Sequence, residues 1–394
     1  MNTHNPGISA REHFPHITRI PHSNICNFAR FDDATIVKSV VFSAALQVPP
    51  PFIMLPDPLE SEMLVSNGFS CYAGPVDDLG FYFCQHVGVR GRGMLIKDSY
   101  RIFAPDIVPD YVESEILRGA RTELSDDSPR REVLLEGTYV HLMSEAYPIY
   151  GHWLVDIIPK AWLYMTQFGR RFVDAKFLFA NDTPEWGLKI LERLFSIRSH
   201  QIAFYDFEHE SPIVERIVVP SLMHNSHVYH PAMLRAVSYV REFFGIAPVS
   251  SIVSGDGATK IYVSRRNFRH KTISTRRQIS NEEELVEIAV SRGFEVVYPE
   301  ELPWDEQVKV FARATVIAGE AGSGLHNTIF SPAGACTIAI CQGSQVQGTL
   351  AALLNQSVVV LGPSRTENLD GTLNFFVDPE RFKLAIAAAL NDDR

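Results

Sequence analysis

The stretch Ala314-Thr-Val-Ile-Ala-Gly-Glu-Ala-Gly-Ser-Gly-Leu-His-Asn-Thr-Ile-Phe330 begins as an apolar run and passes through a glycine-rich segment into a short helical pattern. This order predicts a strand, a turn and a helix. Gly319, Gly322 and Gly324 let the backbone approach a ligand closely, and the first N–H groups of the helix would point at that ligand. The stretch therefore predicts an anion pocket suited to a nucleotide diphosphate. In the alternative interpretation, the glycines only let the strand and the helix pack closely.

Strand and helix patterns alternate on both sides of this stretch, from Tyr139 to the C-terminal region. Such alternation is typical of parallel α/β units. Residues 245–257 separate two such units and have the glycine, proline and serine content of a linker. We therefore predict an α/β fold with two Rossmann-like lobes and an N-terminal β-rich extension. The predicted limits are 1–135 for the extension, 136–250 for the first lobe, and 251–394 for the second lobe with its C-terminal helix.

Several helices of the two lobes carry capping patterns. Thr183 precedes Pro184 and Glu185 and is expected to cap a helix, and Ser280 with Glu283 is expected to form a capping box. Gly293 stands where a left-handed residue would end that second helix. Asp378 is expected to cap the final helix.

Composition excludes several classes of protein. The chain has 394 residues with a net charge of −10, which argues against general affinity for nucleic acid or anionic membranes. Its apolar runs are too short or too interrupted for a transmembrane segment, and its first residues do not resemble a signal peptide. The five cysteines lack metal-site spacing, so we predict reduced thiols and no bound metal. These features predict a cytoplasmic protein, with peripheral attachment to the inner face of the membrane left open.

A basic cluster follows the first strand of the second lobe. Between Asp256 and Glu282 the chain has seven Lys or Arg residues and no carboxylate. After Lys260, these residues are Arg265, Arg266, Arg269, Lys271, Arg276 and Arg277. Guanidinium groups can bind phosphate oxygens in a bidentate manner, so the cluster predicts an anion site at the same sheet edge as the glycine turn. The alternative is a solvated basic loop.

A third motif lies in the predicted helix that starts at Tyr150. His152, Asp156 and Lys160 are spaced four residues apart and share one helix face. Asp156 could orient the imidazole of His152, which would make His152 a general base. Alternatively, His152 only satisfies local hydrogen bonds. Other histidines, including His224, are assigned to loops and a helix start without a functional role.

The glycine turn does not match two better-known motifs. A dinucleotide-binding fingerprint follows the first strand of its unit, whereas this turn follows a later strand. The acidic residue that would bind the ribose further along the chain is also missing. Ser323 lacks the flanking glycines of a nucleophile elbow. Ser323 is better interpreted as a phosphate ligand or as a small turn residue.

Five motifs in order give the chain a family resemblance. They are Tyr150-Gly-His-Trp-Leu-Val-Asp156, Tyr262-Val-Ser-Arg-Arg266, Arg277-Gln-Ile-Ser-Asn-Glu-Glu283, Glu306-Gln-Val-Lys-Val-Phe-Ala-Arg-Ala314 and Gly319 to Phe330. Together they resemble glycosyltransferase family 61, which includes proteins of capsular polysaccharide biosynthesis, over residues 137–345. The resemblance implies a GT-B architecture, a nucleotide-sugar donor bound by the second lobe, and inverting transfer without an obligatory metal. It implies no cofactor besides the donor, expected to be a UDP-sugar, and a glycan or lipid-linked glycan acceptor.

The resemblance also implies roles for individual residues. Donor-binding residues would be Arg265, Arg266, Arg277, Asn281, Gly322, Ser323, Gly324, Leu325, His326 and Asn327. The chain departs from the family pattern two residues after Gly319. The family commonly has a histidine there, whereas this chain has Ala321, next to the acidic Glu320. Ala339 likewise replaces a usual glutamate. His326 is a candidate substitute for the missing histidine.

The sequence hypothesis is therefore an inverting, metal-independent glycosyltransferase with its acceptor on the first lobe. His152, oriented by Asp156, is the candidate catalytic base, and Glu320 is the second candidate. Two alternatives stay open, a non-catalytic nucleotide-sugar-binding module and a Rossmann-type oxidoreductase, because fold alone does not choose between them.

Overall fold

The structure is a computed structural model. It describes residues 78–97, 129–143, 147–169, 174–224, 228–249, 258–267, 277–340, 345–369 and 372–390, together with the backbone of strands at 18–21, 29–30, 36–42, 45–48, 52–54, 74–76 and 100–103. The contacts divide the chain into two compact units, formed by residues 1–45 with 76–226 and by residues 46–75 with 227–394.

The described strands are numbered in chain order. They are β1 (Thr18–Pro21), β2 (Ala29–Arg30), β3 (Ile36–Phe42), β4 (Ala45–Val48), β5 (Phe52–Met54), β6 (Gly74–Val76), β7 (Leu79–Arg90), β8 (Met94–Lys97), β9 (Tyr100–Phe103), β10 (Arg131–Val140), β11 (Lys176–Ala180), β12 (Ile202–Tyr205), β13 (Glu210–Pro220), β14 (Thr259–Val263), β15 (Arg277–Ile279), β16 (Glu295–Val297), β17 (Ala314–Glu320), β18 (Cys336–Ile340), β19 (Ser357–Leu361), β20 (Arg365–Leu369) and β21 (Thr372–Phe376).

Seven helices accompany these strands in the described part of the chain. They are α1 (Tyr150–His152, Trp153–Ile157 and Ile158–Phe168, with a π-helical middle), α2 (Glu185–Phe195), α3 (Met233–Phe243), α4 (Glu282–Ser291), α5 (Trp304–Arg313), α6 (Gln345–Leu354) and α7 (Pro379–Leu390). Short 3-10 helices occupy Ser199–Gln201, Pro299–Glu301 and Ser323–Phe330.

The first unit contains a mixed sheet with the strand order β12-β11-β10-β13-β7-β8-β9-β1-β2, and β3 also pairs with β7. Strands β12, β11, β10 and β13 are mutually parallel, whereas β7 and the strands beyond it pair antiparallel. Parallel neighbours end at the same edge of a sheet. The segments that follow β11, β10 and β13 therefore start at one edge.

The second unit contains a six-stranded sheet with the order β16-β14-β17-β18-β19-β5, in which every pair is parallel. Strand β17 is buried almost throughout, as expected for an apolar strand in a parallel sheet covered on both faces. A smaller sheet, β15-β21-β20, shares a buried core with the main sheet and with α4 and α7. The predicted α/β fold with parallel sheets is thus confirmed, while the GT-B arrangement of two lobes stays a prediction.

The contact units differ from the predicted domain limits. The strands of residues 1–135 do not form a separate extension, since β7 pairs with β13 in the first unit and β5 pairs with β19 in the second. Helix α3, assigned by sequence to the first lobe, belongs to the second unit. There, Arg241 donates to the carbonyl oxygens of Ala247 and Phe330. The first residues of the predicted linker are therefore attached to the second unit, and residues 250–257 lie outside the described residues.

Two of the predicted helix caps are wrong. Helix α2 starts at Glu185 without a side-chain cap, and the Thr183 hydroxyl donates instead to the carbonyl of Ala180, 2.7 Å away. Helix α4 also lacks a side-chain cap, and the Ser280 hydroxyl donates to the carbonyl of Phe375. In both cases the helix begins one residue later than the sequence pattern indicates, with Pro184 and Asn281 at the N-cap positions.

The other two caps are confirmed. Gly293 has a positive φ of 80°, and the Asp378 carboxylate accepts a 2.8 Å hydrogen bond from the N–H of Glu380.

Candidate functional site

Two arginines meet one buried carboxylate at the carboxyl edge of the second unit. Glu320 ends β17, and Arg265 follows the adjacent parallel strand β14. Arg265 Nη1 lies 2.8 Å from Glu320 Oε1, and Arg277 Nε lies 3.1 Å from the same oxygen. The Glu320 side chain is only 2% exposed. A buried carboxylate needs such charge compensation, and it holds both guanidinium groups in place.

The same guanidinium groups lie across the glycine turn. Arg277 Nη2 donates a 2.6 Å hydrogen bond to the carbonyl of Ala321. A Cβ atom added to Gly322 would stand 2.7 Å from Arg277 Nη2 and 3.4 Å from Arg265 Nη1. The missing side chain at Gly322 thus makes room for the arginines.

Gly319 has a different role from Gly322. A Cβ atom at Gly319 would stand 2.7 Å from the carbonyl oxygen of Val263 and 3.3 Å from Leu325 Cδ2. The close-packing interpretation therefore holds for Gly319, where β17 approaches β14 and the 3-10 helix.

The 3-10 helix after the turn is held from within the unit. The N–H of Leu325 donates to the carbonyl of Gly322, and the amide of Asn327 donates to the carbonyl of Gly324. Leu325, His326 and Asn327 are buried, whereas Ser323 and Gly324 are partly exposed. Of the predicted donor-binding residues in this helix, Leu325 and Asn327 support the turn. Its exposed surface is formed by Ser323 and Gly324 together with the backbone of Gly322.

The remaining predicted donor residues, Arg266 and Asn281, contact other parts of the second unit, and three further residues of the basic cluster lie outside the described residues. Arg266 is exposed, and its Nη1 lies 3.5 Å from Glu283 Oε1. The side-chain amide of Asn281 donates to the carbonyl of Val377 and accepts from its N–H, which ties the start of α4 to the end of β21. Arg269, Lys271 and Arg276 lie outside the described residues.

A second cluster lies in the first unit and contains two histidines on one aspartate. His152 Nδ1 lies 2.7 Å from Asp156 Oδ2, and His224 Nε2 lies 2.6 Å from Asp156 Oδ1. The Asp156 side chain is 0% exposed. Because a carboxylate accepts hydrogen bonds, each of these ring nitrogens carries a hydrogen, so the neutral form of His152 has its lone pair on Nε2.

The charge state of Asp156 follows from these contacts. Burial by itself would raise the pKa of Asp156, but the charges and hydrogen bonds of His152 and His224 outweigh burial and hold the pKa well below its usual range. Asp156 is therefore ionised at neutral pH and can stabilise a positive charge on His152. This is the arrangement that a general base requires.

Helix α1 positions His152 and Asp156 through an irregular turn. Its residues Trp153–Ile157 are π-helical and fully buried. The Trp153 indole N–H donates a 2.5 Å hydrogen bond to the carbonyl of Tyr147 and so fixes the start of the helix. Single π-helical turns are uncommon and occur often at functional sites.

Sequence reasoning assigned no role to His224. The available signal was the position of His224 in the chain. It lies just after the end of β13, which is parallel to β10 and adjacent to it. Helix α1 is the first helix after β10, so His152 and His224 lie at the same carboxyl edge. Ligands of open α/β sheets bind at such edges.

Comparison with known proteins gives the family. The family model Glycosyltransferase 61 matches residues 150–338, a range that contains His152, Asp156, Arg265, Arg277 and the glycine turn. Residues 150–338 belong to glycosyltransferase family 61. The protein is a glycosyltransferase, with a sugar donor and an acceptor as its partners.

Other comparisons add little. A search of curated proteins found no match. Among solved structures, the E. coli ADP-heptose lps heptosyltransferase II aligns at 11% identity over 66% of this chain and 100% of that chain, with a TM-score of 0.29. That score is too low for conclusions about this glycosyltransferase. Within the described residues, no helix is long and apolar enough to cross a membrane, and no group of three or more His, Cys, Asp or Glu side chains is arranged to hold a metal ion.

Proposed function

We propose that this family 61 enzyme is an inverting glycosyltransferase that moves a sugar from a nucleotide-sugar donor, without a metal ion, to a hydroxyl group of a glycan or lipid-linked glycan in surface polysaccharide biosynthesis. The observation that carries the proposal is the meeting of Arg265 and Arg277 over Gly322 at a carboxyl sheet edge.

The donor diphosphate would bind at this turn. Arg265, Arg277 and Glu320 together leave one net positive charge, and both guanidinium groups are partly exposed. The N–H groups of Gly322, Ser323 and Gly324 form no hydrogen bond within the described part of the chain. Phosphate oxygens are bound well by guanidinium groups and by backbone N–H groups at a helix start. The same groups would stabilise the charge that develops on the leaving diphosphate, the role that a divalent cation has in other transferases.

The acceptor would be activated by His152. In a single inverting displacement, the acceptor oxygen attacks the anomeric carbon while the bond from that carbon to the diphosphate breaks. The hydroxyl proton passes to His152 Nε2, and Asp156 stabilises the resulting imidazolium. Glu320 remains the second candidate base, but its Oε1 is already bound to two guanidinium groups, which favours a role as their counter-ion.

Calorimetric titration of the purified protein with UDP, GDP and NAD tests the donor class. We expect binding of one nucleoside diphosphate without added metal, unchanged by EDTA, and no binding of NAD. Binding of NAD alone would favour the oxidoreductase alternative. A screen of nucleotide sugars for release of free nucleotide then tests turnover, and tight binding without any turnover would favour the non-catalytic module.

A further inference from the structure

A third loop reaches the same edge of the first unit as His152 and His224. Strand β11 is parallel to β10 and adjacent to it, and α2 is the helix that follows β11. Trp186 stands in the first turn of α2. The sheet topology thus brings Trp186 to the edge where the candidate base lies.

Trp186 contacts the residues on both sides of His152. Its ring centroid lies 5.3 Å from that of Trp153 and 5.7 Å from that of Tyr150, both at an interplanar angle of 62°. Trp153 is completely buried, but Trp186 remains 39% exposed. Ile149, just before α1, is also exposed. Part of the Trp186 ring is therefore open to solvent beside the helical turn that contains His152.

This exposure is not the result of a loose segment. The Tyr147 hydroxyl donates to Asp182, and Arg92 Nε lies 2.9 Å from the same carboxylate, so the loop between β11 and α2 is held at two points. A Cβ atom at Gly187 would overlap the indole of Trp153, which shows how closely α2 packs there. The Trp186 ring is thus held in place with part of its surface uncovered.

Two ion pairs involve the start of α2 and the loop before it. Glu185 and Lys189 form an ion pair at 2.7 Å across the first turn of α2, and Arg92 pairs with Asp182. A neutral partner therefore suits this surface better than a charged one. This is the opposite of the glycine turn in the second unit, where the charge is positive.

We propose that Trp186, with Tyr150 and Ile149, is the acceptor platform, on which the apolar face of a neutral pyranose ring stacks. The axial C–H groups of a pyranose are weakly positive, and the face of an indole ring is negative, so the two attract. Aromatic walls with a few polar groups are typical of small-molecule sites. Stacking here orients a ring hydroxyl toward His152 Nε2. The proposal rests on the proposed function, because it takes His152 as the base.

The binding test uses the full chain labelled with 5-fluorotryptophan. The chain has four tryptophans, and Trp186→Phe assigns the Trp186 fluorine resonance by its loss. The probes are cellobiose, maltose, xylobiose and N,N′-diacetylchitobiose. We expect the Trp186 resonance to shift with at least one of these disaccharides, while the Trp162 and Trp304 resonances stay in place. No shift with any disaccharide up to tens of millimolar overturns the platform.

The kinetic test uses the best-binding disaccharide as acceptor. We expect Trp186→Ala to raise its KM about tenfold, the loss for one aromatic stacking contact. We expect kcat to change much less, and Trp186→Phe to keep most of the affinity. The matched control is Phe204→Ala, which removes an exposed aromatic ring on β12. An equal rise in KM for Phe204→Ala, or no rise for Trp186→Ala, overturns the proposal.

Two further readouts separate the possible failures. Nucleotide binding, which is assigned to the second unit, is expected to be the same in Trp186→Ala and in the wild type. If the wild type binds no nucleotide, the proposed function fails, whereas binding of a disaccharide at Trp186 is still measurable. If Trp186 instead lies between two copies of the chain, Trp186→Ala will lower the sedimentation coefficient, and that result overturns the platform.

Discussion

The carboxyl edges of the two sheets have the same plan with different chemistry. In the first unit a buried Asp156 binds the imidazoles of His152 and His224, and in the second a buried Glu320 binds the guanidinium groups of Arg265 and Arg277. Imidazoles exchange protons near neutral pH, whereas guanidinium groups stay charged. The same arrangement, a buried carboxylate between two nitrogen-containing side chains, is thus suited to proton transfer at one edge and to a fixed positive charge at the other.

The largest predicted effect is on kcat and concerns the candidate base of the first unit, His152. His152→Ala should lower kcat about a thousandfold, because general base catalysis is worth roughly 10²–10⁴ in rate. Nucleotide affinity should stay unchanged. Initial rates of nucleotide release and calorimetry measure the two quantities. His209→Ala is the matched control, since His209 also pairs with an aspartate, Asp206, but on the exposed surface. Equal rates for His152→Ala and the wild type would remove His152 from the mechanism.

The next largest effect concerns the fixed charge in the second unit. Arg277→Ala should raise the dissociation constant of the nucleotide about thirtyfold, because a charge-assisted hydrogen bond contributes about 2 kcal/mol. Arg266→Ala is the control and should change that constant by less than about twofold, because its guanidinium pairs with Glu283 on the exposed surface. Calorimetry measures both variants, with thermal unfolding as a check on folding. A larger effect for Arg266 than for Arg277 would place the donor elsewhere.

A third prediction concerns a buried titratable histidine in the first unit, His141, and its effect on the free energy of unfolding. Burial, together with the charge of Lys160, lowers the pKa of His141 to about 3, although its hydrogen bond to the Gly93 carbonyl acts in the opposite direction. The folded protein therefore keeps His141 neutral, while the unfolded chain binds a proton below about pH 6.5. The free energy of unfolding should thus fall as the pH falls, by about 2 kcal/mol between pH 7 and pH 5.

Urea unfolding at these two pH values measures this contribution. His141→Gln should reduce the difference between pH 7 and pH 5, and the exposed His200→Gln should leave it unchanged. Asp156 adds a further loss below about pH 4, because its pKa is lower in the folded protein than in the unfolded chain. An identical pH dependence in His141→Gln and the wild type would contradict the buried, neutral histidine.

The smallest effect distinguishes two glycines of the same turn. Gly322→Ala would place a Cβ atom 2.7 Å from Arg277 Nη2 and displace the guanidinium, whereas Gly324→Ala would place one at an ordinary 3.5 Å from Val263 Cγ1. We expect Gly322→Ala to weaken nucleotide binding about tenfold, and Gly324→Ala to have a smaller effect. Titration with the nucleotide compares them. Equal losses would indicate that the turn acts through its backbone alone.

Local pattern was enough to predict much of the fold and part of the candidate site. The apolar run of β17 and the glycine turn were predicted from short-range spacing. The i,i+4 pair of His152 and Asp156 was likewise visible, because both residues lie on one helix. Arg266 was indistinguishable from Arg265 in sequence, yet its side chain turns outward to Glu283 while that of Arg265 turns to Glu320.

The α/β class, the glycine turn and the family motifs could be read from the sequence, because strand and helix periodicity and turn chemistry depend on neighbours a few residues apart. The tertiary structure was needed to show that His224 shares Asp156 with His152, that Trp186 stands against Tyr150 and Trp153, and that the strands of residues 1–135 are distributed over three sheets. These contacts join residues far apart in the chain. They depend on strand order and on which strand ends meet at one edge, and local spacing along the chain contains no information about either.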